Sequence, residues 1–113
     1  MPSEAVAIAH EAITAALTLL PLPDPATLSD YQRRGITCVW DGIGLSAADA
    51  VDLGPRELPG GGQWFPRGCR SRVGEAAYRL LHAHAPMCEQ CVDEPTGCAL
   101  GRELIRLTRE GRR

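Results

Sequence analysis

The chain's most specific chemistry lies in His84-Ala85-Pro86-Met87-Cys88-Glu89-Gln90-Cys91, followed six residues later by Cys98, a spacing of H-x3-C-x2-C-x6-C. A two-residue gap lets one turn aim both sulfurs at a single ion, and the flanking elements then bring a third and a fourth donor. Zinc accepts three thiolates and one imidazole in a tetrahedron, so the spacing predicts a zinc site made by His84, Cys88, Cys91 and Cys98. His84 is the preferred fourth ligand because it lies on the core-facing stripe of the helix that precedes Cys88. His82, out of that phase, is the reserve.

An earlier segment has the outline of the same device. Cys38-Val39-Trp40-Asp41-Gly42 follows the zinc-knuckle pattern C-x2-C-G with Asp41 in the second ligand place, and Cys69-Arg70-Ser71-Arg72 puts Arg72 where another ligand belongs. A guanidinium stays protonated and cannot bind a cation. Cys38, Asp41 and Cys69 therefore remain as a partial second site at most. Two other readings stand beside it: both cysteines packing as small hydrophobes against Trp40 or Trp64, or either one completing the Cys88 site in place of His84.

What must position these residues is a short chain with little apolar material. Its 113 residues make one domain and exclude a multidomain enzyme. The hydrophobic fraction of 44% includes fifteen Ala, while Leu, Ile, Val and Phe together number 24. That is near the limit at which burial alone offsets the entropy of ordering, so a thin core helped by a cross-link is expected. Metal ligation by cysteine is the candidate cross-link.

The net charge of −2 hides a division, for residues 1–66 hold eight acids and three Arg, and residues 67–113 hold six acids and nine Arg. A basic C-terminal half points to an acidic protein partner or to nucleic acid, although a dedicated nucleic-acid domain carries a larger excess. The lack of Lys and Asn beside abundant Ala, Arg and Gly is the composition of a high-GC genome such as an actinobacterium's. The N-terminal stretch has no basic start and contains Glu4, His10 and Glu11, so it does not read as a signal peptide. Ala12–Leu20 is too short to span a bilayer. A cytoplasmic, non-membrane protein is expected, and five cysteines in a reducing compartment are ligands or free thiols rather than a disulfide framework.

The elements expected to carry the site are mainly helical. Ser3–Leu20 reads as a helix with Val6, Ala9, Ile13, Ala16, Leu17 and Leu20 on one stripe, stopped by Pro21 and Pro23. Asp24-Pro25 opens a second helix to Arg33 or Arg34, ended by Gly35. Ile36–Trp40 and Ile43–Leu45 read as a hairpin around Asp41-Gly42. Ser46–Gly54 is either a helical turn or a short strand, and Pro59-Gly60-Gly61-Gly62 is a loop. Ser71–Pro86 is a third helix, with Val73, Ala77, Leu80 and His84 on one stripe. Ala99–Arg113 is the clearest amphipathic helix, its Leu100, Leu104, Ile105 and Leu107 opposed to Arg102, Arg106, Arg109 and Arg113. Those four Arg are either a solvated face held by Glu103 and Glu110 or a surface for a partner. The fold class is thus mainly α with a small β-hairpin, a metal-stabilised domain of about four helices. It divides into an N-terminal helical hairpin, 1–35, and a zinc-knuckle-like region, 36–113, within one compact domain. The N-terminal helices either pack inside the monomer or join a homodimer.

The segments CVWDG, WFPRGCRSR and HAPMCEQCVDEPTGC resemble those of small Cys/His-rich actinobacterial proteins with a zinc knuckle, a W-F-P-R-x-C-x2-C segment and a final C-x2-C…C cluster. The resemblance covers about Cys38 to Arg113 and implies a zinc-binding fold; Asp41 and Arg72 are its departures. A looser likeness is to WhiB-like iron–sulfur regulators. Cys88, Cys91 and Cys98 approximate their C-x2-C-x5-C core with one extra residue, and Trp64-Phe65-Pro66 is similar to their upstream aromatic-Pro segment. The Gly-Trp turn that follows the cluster in those regulators is missing. That likeness implies an iron–sulfur cluster with Cys69 or Cys38 as fourth ligand, and a redox-responsive role in transcription.

A zinc enzyme keeps one coordination position open and places a base beside it. No His-x-Glu precedes Pro86-Met87-Cys88-Glu89-Gln90-Cys91 as a deaminase requires, and Gly60-Gly61-Gly62 lacks the Lys-Ser/Thr end of a phosphate loop. The chain reads as a small zinc-stabilised interaction or regulatory module. The alternatives are the iron–sulfur regulator and a small metal-dependent enzyme or accessory protein of a biosynthetic pathway.

Overall fold

The computed structural model of the chain describes residues 12–94 and 97–113. Helix α1 covers residues 12–19 of the expected first helix, and the part of that helix before residue 12 lies outside the described residues. Ala16 and Leu20 of its stripe are buried, as the spacing predicts.

The expected second helix is two pieces, and local capping is the reason. Asp24 accepts a hydrogen bond from the Ala26 N–H and starts only a 3-10 turn, Pro25–Thr27. Ser29 then opens a new helix, α2 (Asp30–Arg33), through a reciprocal capping box with Gln32. Gly35, at φ 76°, ends it where a Cβ would stand 2.7 Å from the Phe65 carbonyl oxygen. Only glycine lets the chain pass that close.

The hairpin expected at Ile36–Leu45 is present only in minimal form, as one antiparallel bridge about a knuckle turn. A single bridge joins Thr37 and Gly44, the Cys38 N–H donates to the Ile43 carbonyl and the Gly42 N–H donates to the Cys38 carbonyl. Its few residues are spent on the turn itself, so no ladder extends. The β structure comes later, where Ser46–Asp49 makes a turn that leads into β1 (Ala50–Asp52). β1 pairs antiparallel with β4 (Arg67–Cys69), and nested inside it β2 (Arg56–Glu57) pairs with β3 (Gln63–Trp64). The Leu53 N–H bond to the Pro66 carbonyl carries the pairing across the break between the two ladders. Gly60, Gly61 and Gly62, all at positive φ, close the inner tip.

Cys69 is the N-cap of α3 (Arg70–His84), which runs antiparallel to α5 (Ala99–Gly111) and packs extensively against it. Between them lie a 3-10 turn, Ala85–Met87, and a further helix that periodicity did not reveal, α4 (Glu89–Asp93). The described residues therefore hold five α-helices rather than about four.

One buried cluster gathers Ala16 from α1 and Leu20 just after it, Val39 from the knuckle, Leu53 and Trp64 from the hairpin region, Val73 and Ala77 from α3, and Leu104 and Leu107 from α5. Two of these nine are Ala, and each larger aliphatic contributes roughly 1.5–3 kcal/mol on burial. The core is as thin as the composition implies. Ile105, expected on the apolar face with Leu104, sits instead among the arginines of α5, because one residue along a helix is a 100° turn. Among the described residues no helix is long and apolar enough to cross a membrane.

Candidate metal centre

Three helix ends meet at the late cysteines. His84 is the last residue of α3, Cys88 is the N-cap of α4 with Cys91 in that helix's first turn, and Cys98 is the N-cap of α5. Pro86, lacking an N–H, suits the first turn of the 3-10 segment and lets the chain bend between α3 and α4. That bend returns Cys88 toward His84.

The donor atoms of His84, Cys88, Cys91 and Cys98 all lie within 4.8 Å of one another. Cys88 Sγ stands 3.9 Å from Cys98 Sγ, and Cys98 Sγ stands 3.5 Å from His84 Nε2. A zinc ion with bonds of about 2.3 Å to sulfur and about 2.05 Å to nitrogen has tetrahedral edges of about 3.8 Å (S to S) and about 3.6 Å (S to N). The two distances match those edges to within a few tenths of an ångström, and with Cys91 Sγ within 4.8 Å of the other donors the group could hold one metal ion. Cys91 and Cys98 are buried, while His84 and Cys88 are half-buried at the rim.

The surroundings act in opposite directions on two of the sulfurs. The backbone N–H of Cys91 and the neighbouring thiols hold Cys88 below the ordinary thiol value despite the opposing effect of burial. Burial, reinforced by the Cys98 and Cys88 sulfurs, pushes Cys91 up to about 12. Three thiols this close cannot all ionise without a cation to offset their repulsion. The Gly101 N–H donates to Cys98 Sγ at 3.3 Å, and a Cβ on Gly101 would stand 3.1 Å from Cys91 Sγ. Gly101 supports one sulfur and leaves room for another, a role that only its position as the third residue of α5 could have suggested.

His82, the reserve ligand, is outside this group. It is exposed and stacks edge-on against Tyr78 with ring centroids 4.4 Å apart, and Arg112 lies over the same Tyr78 ring. Cys38 and Cys69 are also apart from it and do not replace His84; with Asp41 they form a second group whose ligand atoms lie within 4.8 Å of one another. Both thiols of that group are buried, and burial pushes Cys38 up. The Asp41 carboxylate accepts the Ile43 N–H at 3.1 Å on one oxygen and the Arg72 Nε–H at 3.0 Å on the other. Burial opposes its ionisation, yet the Ile43 N–H, Arg72 and the Cys38 thiol hold it below its ordinary range. Arg72 also reaches Glu75 at 2.9 Å.

On α5, Arg106 pairs with the buried Glu103 and with Glu110, as the three- and four-residue spacings imply. Hydrogen bonding to Glu103, with Glu110 adding to it, raises the Arg106 pKa. Arg102, Arg109 and Arg113 are exposed and, with Ile105, Arg106 and Glu110, line a shallow groove of ≈ 450 Å³. No protein-family model, curated protein or solved structure matches the chain, so the site's own geometry carries the functional reading.

Proposed function

We propose that the protein is a small zinc-stabilised interaction module whose metal ties α3, α4 and α5 together and whose α5 presents an arginine-lined surface to a polyanionic partner. The single observation that carries this reading is the convergence of the His84, Cys88, Cys91 and Cys98 donors within 4.8 Å of one another, with the Cys88–Cys98 and Cys98–His84 distances at the edge lengths of one tetrahedron. Four protein donors leave no position open for water, which is the pattern of a structural rather than a catalytic zinc. The iron–sulfur alternative draws less support, because sulfurs bound to different irons of a cluster stand further apart than the edges of a single tetrahedron, and a fourth nearby thiol is replaced here by an imidazole.

Arg102, Arg109 and Arg113 supply the partner chemistry, their guanidiniums suited to bidentate contacts with phosphates. Nucleic acid is the partner class the reading favours. Fluorescence anisotropy with a short labelled duplex at increasing salt tests it. Affinity should fall as salt rises, and replacing Arg102, Arg109 and Arg113 together with Gln should abolish binding while leaving the melting curve in place. Salt-independent binding, or none, would exclude nucleic acid and leave an acidic protein surface as the partner to examine.

A further inference from the structure

The first knuckle repeats the local geometry of the late site, with one substitution of charge. Cys69 is the N-cap of α3 and Arg72 is its third residue; Cys88 is the N-cap of α4 and Cys91 is its third residue. Arg72 thus occupies in α3 the place that a ligand sulfur occupies in α4. Across from it, Cys38 and Asp41 sit on the knuckle turn in a C-x2-D-G pattern, and Arg72 Nε meets Asp41 Oδ2 at 3.0 Å. Cys38, Asp41 and Cys69 converge as ligands do.

We infer that this knuckle, hairpin and helix form a second zinc-site frame in which the Asp41–Arg72 ion pair stands in for the metal, closing the knuckle onto α3 without an ion. An ion would have to displace Arg72 from Asp41, while Arg72 remains held nearby by Glu75 at 2.9 Å. Both Asp41 oxygens already have donors, and the two buried cysteines pack as small apolar groups. The ion pair keeps the hydrogen-bonding and cross-linking work of a metal but not its dependence on metal supply, so the knuckle stays closed on α3 whether or not zinc is present.

A completed frame should bind zinc. Purified Arg72→Cys and Asp41→Cys/Arg72→Cys proteins, refolded with excess zinc and then desalted, should carry one zinc per chain more than the parent, and cobalt substitution should add thiolate-to-cobalt absorbance in the same proportion. The readout is the increment over the parent. It is therefore indifferent to whether the late site binds zinc, and the two readings fail separately. In the parent, Cys38→Ser should leave the zinc content unchanged. A parent that loses one zinc on Cys38→Ser, or variants that gain none or stay unfolded in excess zinc, would overturn the inference.

Discussion

Gly74 and Gly111 meet backbone to backbone, so that a Cβ built on either would lie 2.7–2.8 Å from the other's Cα. This contact pins α3 and α5 at the end remote from the late cysteines, while His84 and Cys98 face each other at the opposite end. Two antiparallel helices thus approach closely at one end and bring together the candidate metal-binding group at the other.

Replacing Gly74 with Ala tests the pinned end. Ala is favoured over Gly inside a helix by about 1 kcal/mol, and at an open site it would stabilise. Here the new methyl meets the Gly111 backbone and the Leu107 carbonyl, which no rotamer change relieves, and overpacking of this kind costs about 1–3 kcal/mol. Urea denaturation should show a lower midpoint with zinc content unchanged. A higher midpoint would mean that the helices stand further apart.

At the other end, Gly101→Ala crowds the Cys91 sulfur without removing any ligand. Changes in the groups that surround metal ligands typically weaken binding by about 10–100-fold. Competition against a chromophoric chelator should show a loss on the order of tenfold, with helical content recovered in excess zinc. Unaltered affinity would place the sulfurs elsewhere.

The knuckle gives a pH dependence of definite sign. Asp41 is held below its ordinary value of 3.8 by the Ile43 N–H and Arg72, so its stabilising contribution is present above that value and lost as pH falls through the lower folded one. Asp41→Asn removes the titrating charge. The gap in melting temperature between parent and variant should be widest near neutrality and narrow as pH falls below 4. A gap constant over that range would show that the pair contributes nothing through charge.

Much of this site was legible because short-range spacing dictated it. Cys88 and Cys91 are brought together by one turn, Cys98 by the start of the next helix, and His84 by the phase of Val73 and Ala77 on α3. Gly35 likewise marked a helix end. What the sequence hid were competitions between nearby signals. Ser29, with Gln32, restarted a helix that Asp24 and Pro25 seemed to open in one piece, and α4 is too short at five residues to show a periodic stripe. The longer β ladders at 50–69 were missed because Ile36–Trp40 has the residue types of a strand, whereas its turn bonds leave only the Thr37–Gly44 bridge. Gly74, Gly101 and Gly111 act through neighbours distant in sequence, which no local pattern encodes.

The metal content of gently purified protein, read with its visible spectrum and its melting curve before and after a strong chelator, tests the central claim most directly. The account predicts a colourless protein with one zinc per chain, lost on Cys91→Ser, and a C-terminal half that melts at lower temperature once the zinc is removed. A brown protein with iron and sulfide, or a metal-free protein whose melting ignores the chelator, would contradict it.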